Sequence, residues 1–537
     1  MLVTVGVPLA PSEPVPAPLP SFSLTRARPQ PPRVVIHGPS QHFKLGDSLE
    51  VARALIAAMQ AHGEVAYTER TWYHYNPAEG VFAELTEADV ARYVHAFAGA
   101  THGAKPSQED EEKNAKLLAA WELETALAVA EGKKPPAKPR LRQPRLLALN
   151  APFVSSVMTS MATELEDNDF FAAARPGIAF RNGFVEVRPD AIYTLPHSPA
   201  HRARFRFGFD YQPAARSERF ATFCQEIWRD ETPEEIATRH QLYLAFIGVC
   251  NLGQATRFGK AIIQFGEGSN GKTTLMDIVT GCMPGPDTVT NVKPQSLEGE
   301  YYRDMLAGKL LNAVEEMPEA YIEDTGPMKA AITGDFMLGR AIRKSPRRFR
   351  PIAGHLYNAN NLPKTSDHTT GFWRRLILVD FKRDFEHGAG AKEGGTRVDM
   401  AKHVLEELPA ILCEALAAAW YALNAEAYPT PTATTDLMTA WRSENDTIVE
   451  FIETCLNPLD QRNESREGWI KSSELYFIYH TWAKQNGHTP YASNKFRQRL
   501  QQLKYRHLRS SQGTIYPFQL RGAPSFLPTG QAPGVQH

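Results

Sequence analysis

The chain has 537 residues, 42% hydrophobic and 22% charged, with a formal net charge of −1, which leaves room for two to four domains. That balance excludes a globally basic nucleic-acid binder, so such a contact must come from local charge placement. The five cysteines form no C-x-x-C pair, and neither a membrane-length apolar run nor a signal peptide is read, so a soluble protein of a reducing cytosol is expected.

Residues 1–34 are proline-rich and aperiodic, predicting a disordered leader. An N-terminal α+β and helical region follows over 35–254. Its apolar spacing predicts a helix over 48–61, then strands near 65–67, 71–75 and 81–83, with a turn at 76–80. Residues 104–143 read as an insertion or linker, running from a charged stretch through an Ala/Leu/Glu helix to a Pro- and Lys-rich end. Arg181-Asn182-Gly183 predicts a hairpin between two strands within 178–193. Helical sequence over 217–250 leads into a core over 255–385 whose strands are apolar on both faces, as in a mainly parallel sheet covered by helices. A helical connector spans 386–444. Residues 445–522 carry helices at 446–455, 472–486 and 494–503, then short strands near 505–508 and 514–516, a winged-helix-like pattern. Residues 523–537 read as a disordered tail.

The core carries the chemistry. Gly266-Glu267-Gly268-Ser269-Asn270-Gly271-Lys272-Thr273 fits G-x-x-x-x-G-K-[ST], between an apolar strand and a helix opening at Thr274. Glycines let backbone N–H groups turn toward phosphate oxygens. Lys272 supplies a cation for the β- and γ-phosphates, and the Thr273 hydroxyl a ligand for Mg²⁺. Gly266, Gly268, Ser269, Asn270, Gly271, Lys272, Thr273 and Thr274 are therefore read as the ATP-binding set.

A second apolar strand, 309–314, ends in Glu315-Glu316. One carboxylate would hold Mg²⁺ and the other orient the attacking water; both are assigned as catalytic and Glu315 as the metal ligand, although the sequence does not divide the two jobs. A third strand, 353–359, leads into Asn360-Asn361-Leu362-Pro363, where the Asn360 amide can sense the γ-phosphate or water. Arg374-Arg375, before a fourth strand, are candidates for a finger reaching a neighbouring subunit's nucleotide. Between the second and third strands, Arg340, Arg343, Lys344, Arg347, Arg348 and Arg350 crowd together without an acid, interleaved with apolar residues. The first five are assigned to DNA contact, as a basic hairpin gripping a phosphate backbone.

This order of motifs resembles the superfamily 3 helicases, specifically the phage and plasmid primase–helicase branch that includes the poxvirus-type nucleoside triphosphatases. Lys329-Ala330-Ala331-Ile332-Thr333-Gly334-Asp335 belongs to the same signature. Similarity extends loosely to Trp72–Tyr75, Phe180–Gly183 and the aromatic residues of 475–500. The resemblance implies an AAA+-like P-loop ATPase core and an ATP-dependent 3′–5′ DNA helicase, working as a hexameric ring with ATP and Mg²⁺ held between subunits. It implies DNA, single-stranded and forked, as partner, in the cytoplasm of a bacterial or phage-infected cell, without a membrane. Asn360 matches the family's sensor, Arg375 or Arg374 its finger, and Arg343 and Lys344 its channel hairpin. Asp167-Asn168-Asp169 reads as a turn, so primer synthesis is not expected, which leaves room for a separate primase or initiator. The alternative is an ATP-gated origin-binding scaffold without processive unwinding.

Overall fold

Five parallel strands form the centre of the fold, and the nucleotide-site candidates follow or precede their ends. The computed structural model describes residues 29–521 apart from 142, 344, 366, 368, 386–396, 445, 462–467, 489 and 511–512. The predicted leader up to 28, the tail from 523 and Lys344 lie outside the described residues. In chain order the core elements are α1 (Pro233–Asn251), β1 (Ala261–Phe265), α2 (Lys272–Gly281), β2 (Val289–Thr290), β3 (Leu311–Val314), α3 (Gly326–Thr333), β4 (Met337–Gly339), β5 (Arg347–Phe349), β6 (Gly354–Ala359), β7 (Leu376–Asp380) and α4 (Leu408–Ala425). The sheet runs β2–β3–β6–β1–β7, all parallel, giving a mixed α/β fold.

Alternation along these strands builds two cores. Ile262, Leu356, Ile377 and Val379 face α1, α2 and α4. Ile263, Tyr357 and Leu378 face the other way, toward Met328 of α3 and Trp441. Four of the strands match the predicted apolar runs. The fifth, β2, is two residues long and was not foreseen; the Asn312 amide pairs with both the N–H and the carbonyl of Val292, just beyond β2, at 2.7 and 2.9 Å.

α4 corrects one expectation. By length and composition it is apolar enough to cross a membrane, whereas no such segment was read from the sequence. Much of it is buried within the protein, on α1. Gly248 makes that packing possible, since a Cβ there would lie 2.1 Å from the Ala415 carbonyl oxygen.

Upstream, the strands Val65–Thr68, Thr71–Asn76 and Val81–Leu85 form an antiparallel sheet as predicted. The Arg181-Asn182 hairpin joins Gly177–Phe180 to Gly183–Val187 and gains a third strand, Ile192–Leu195. The helix Gln108–Ala130 has no buried residue, as suits an insertion. The Asp169 N–H donates to Asp167 Oδ1 at 3.1 Å, the turn role read for that stretch. Downstream, helices Thr447–Cys455, Ser472–Gln485 and Ser493–Gln502 pack around Tyr479 and Phe496, whose rings stack at 4.6 Å. Ile470–Lys471, Gly513–Tyr516 and Leu508–Ser510 form a small antiparallel sheet beside them. The strand expected at 505–508 begins at Leu508, after a left-handed Lys504 (φ 64°).

Candidate nucleotide site and basic hairpin

The Gly-rich loop leaves β1 at Phe265 and enters α2 at Lys272, through positive φ at Gly266, Ser269 and Gly271. Gly266 is tightly enclosed: a Cβ there would sit 2.4 Å from the Phe381 carbonyl oxygen. The Lys272 ammonium is drawn into the loop, donating to the carbonyls of Gly266 and Glu267, both at 2.7 Å, and to Asn270 Oδ1 at 3.0 Å. Only 5% of the residue is exposed, and burial lowers its pKa to about 8. Asn270 braces the loop: its amide donates to Glu267 O at 2.6 Å and Phe381 O at 3.0 Å. Its side chain therefore positions Lys272 within the loop. Thr273 is half-buried, Thr274 is buried in α2, and Gly268 has open space around it.

Register sets the neighbours. Phe265 pairs with Ala359 of β6 and Asp380 of β7, so the ends of these strands meet at the loop. Glu315 and Glu316 follow β3, two strands from β1 and about 10 Å across the sheet. Both are exposed. Ala313 faces α2 and Val314 faces away, and the strand gives way to a bend at Glu315. Asn360 is exposed, one residue past β6.

Sequence reasoning missed Asn358. It is 2% exposed, near the end of β6, and among the described residues neither side-chain amide atom has a hydrogen-bond partner; the same holds for Oε1 of Gln264, its register mate on β1. The available signal was a polar residue inside an otherwise apolar strand.

Arg374 and Arg375 lie elsewhere. Leu376 pairs with Ala261, so the arginines sit at the opposite edge of the sheet, about 13 Å along β7 from the loop's level. Arg374 is exposed, whereas Arg375 is half-buried and donates to the Gly371 carbonyl. The Lys260 ammonium donates to Arg374 O, and its pKa is lowered by burial and then by the Arg374 charge.

The basic cluster forms the antiparallel pair β4–β5, with Arg343 left-handed (φ 63°) and Ile342 78% exposed at its tip. Register sorts its arginines. Met337, Gly339 and Phe349 face inward, and Arg347 is tied to Asp304 at 2.6 Å. Phe336, Leu338, Arg348 and Arg350 face outward. The guanidiniums of Arg348 and Arg350 lie 3.7 and 3.9 Å from the centre of the Phe336 ring. Phe336 and Arg350 were absent from the sequence assignment, whereas the included Arg347 has an acidic partner. Arg340 anchors the hairpin's base through its N–H to Glu300 O at 3.1 Å.

Comparison with known proteins adds three family matches: D5 N terminal like over 53–229, the DUF5906 family of unknown function over 265–375, and Poxvirus D5 protein-like over 443–513. The putative helicase L207/L206 of Acanthamoeba polyphaga mimivirus is 29% identical over 135 residues, 24% of this chain and 14% of that protein. These matches support a likeness to the D5-like branch of the superfamily 3 helicases. Among solved structures, the NrS-1 C-terminal region aligns at a TM-score of 0.40 and 11% identity, over 88% of this D5-like chain and 99% of that one. The two D5 matches flank the parallel sheet, and the match of unknown function runs from the Gly-rich loop to Arg375, taking in β2, β3 and β6.

Proposed function

We propose that this D5-like chain is an ATP-dependent DNA helicase of phage- or plasmid-type replication, working 3′–5′ as a hexameric ring with ATP between copies. The observation that carries this reading is the split of the site. Lys272 and the glutamates stand at one edge of the parallel sheet and Arg374-Arg375 at the other. No copy brings its own arginines to its own loop, whereas a neighbour presenting that edge would complete it. The strand order supports an AAA+-like P-loop core, and the three C-terminal helices with their small sheet support a winged-helix module.

The residues fit a triphosphate with Mg²⁺: a left-handed glycine turn, a helix N-terminus and a buried ammonium converge. The nucleotide would supply the phosphoryl group. Lys272 exchanges loop carbonyls for phosphate oxygens, Thr273 and Glu315 hold the metal, and Glu316 and Asn360 orient water, with Asn358 behind them. Arg374, exposed and free of the Gly371 contact that holds Arg375, is the better finger. Arg343 and Arg348 grip DNA, together with the adjacent Lys344.

The test is ATP hydrolysis by the purified protein with and without single-stranded DNA, alongside its mass in solution. Strong stimulation in a multi-subunit assembly is the expected result. Hydrolysis indifferent to DNA, and unchanged in Arg343→Ala, would sink the motor and favour the ATP-gated scaffold.

A further inference from the structure

Three arginines of the N-terminal region remain without a role. Arg202, left-handed at φ 51°, opens an extended segment that carries Arg204 and Arg206 and in which Ala203 and Phe207 are buried. Alternation sends Arg204 and Arg206 to one side, about 6.6 Å apart. Each is half-buried, and among the described residues none has a carboxylate at ion-pair distance. Arg202 donates to Phe170 O, Arg204 lies over the Phe171 ring at 4.7 Å, and Arg206 donates to Glu79 O at 3.5 Å. Half-burying three cations without anions is unfavourable unless a ligand supplies them.

The arginines line a crevice between the N-terminal region and the parallel-sheet core. Two adjoining cavities, about 430 and 280 Å³, share Arg204, Phe205 and Gly308 as a common wall. The first adds Arg206 and Lys309; the second adds Arg202, Arg175 and Arg350. Against these six cations stand Glu69, Glu84 and Asp287 on the walls, and Arg175 is already paired with Glu186 at 3.1 Å. Arg350 links the crevice to the hairpin, because it also lies on Phe336 beside Arg348.

We propose that a single nucleic-acid strand runs along this crevice, its phosphates on Arg350, Arg202, Arg204 and Arg206, as a continuation of the hairpin contact. A row of cations crossing two adjoining cavities suits a repeating polyanion better than a lone nucleotide, which would fill one of them. The inference rests on the hairpin reading only for where the strand comes from.

The experiment is the affinity of the full chain for labelled oligothymidine across a salt series. Arg204→Gln/Arg206→Gln should bind at least tenfold more weakly, and its salt slope should fall by about 1.4, two single-strand phosphate contacts. Arg204→Lys/Arg206→Lys should restore most of that slope, and nucleotide binding should be unchanged in both. Arg206→Gln alone, whose guanidinium meets only a carbonyl, should give half the slope change if the pair unfolds. Wild-type affinity and slope in the Gln variants, with Arg343→Gln impaired, would overturn the crevice and leave the hairpin standing. If wild type shows no salt-dependent binding, both fall.

Discussion

The two edges of the parallel sheet are built in opposite ways. At the loop edge, polar groups are buried and held: Lys272 by three acceptors, Asn270 by two, Asn358 sealed beneath them. At the other edge Arg374 is exposed beside a cleft of about 530 Å³ lined also by Lys260, Arg442 and Thr434. A preorganised pocket must not move when its ligand arrives, whereas a group that serves another molecule must stand clear of its own.

The largest expected effect tests the held edge. Lys272→Ala should reduce hydrolysis about 10³-fold or more, to background in a steady-state assay; retained turnover would remove the site. Arg374→Ala tests the open edge. It should slow hydrolysis about 10³-fold while sparing nucleotide binding, and mixing with Lys272→Ala protein should restore part of the activity, because each supplies what the other lacks. Full activity from isolated monomers would break the contrast between the edges.

Gly266→Ala should weaken nucleotide binding without abolishing folding, since a Cβ meets the Phe381 carbonyl and φ is 152°. Titration of a fluorescent nucleotide reads this directly. The smallest effect is on pH. The Lys272 pKa, lowered to about 8 by burial, must rise when an anion binds, so binding takes up a proton and affinity falls as pH rises through 8. Between pH 7 and 9 the loss should be about tenfold, and Lys272→Arg should flatten it.

The loop edge was legible because its residue types are dictated by chemistry at fixed spacing, and four of the five strands because both faces are apolar. What the sequence hid depends on register. Arg347 and Arg348 are equivalent neighbours in a charge run, yet one meets Asp304 and the other lies on Phe336. β2 is too short to carry a period, and the strand at 508 slid because Lys504 turns left-handed.

β7 touches both edges. At its start the Arg375 carbonyl accepts from the Ala261 N–H at 2.8 Å, and just past its end the Phe381 carbonyl accepts from Asn270. Arg239, fully buried, bolts that end to α1 through Asp380 at 2.7 Å. The strand thus joins both edges through hydrogen bonds at its two ends. If the proposed ring forms, it is the shortest covalent path between one copy's loop and the arginines that copy presents to its neighbour.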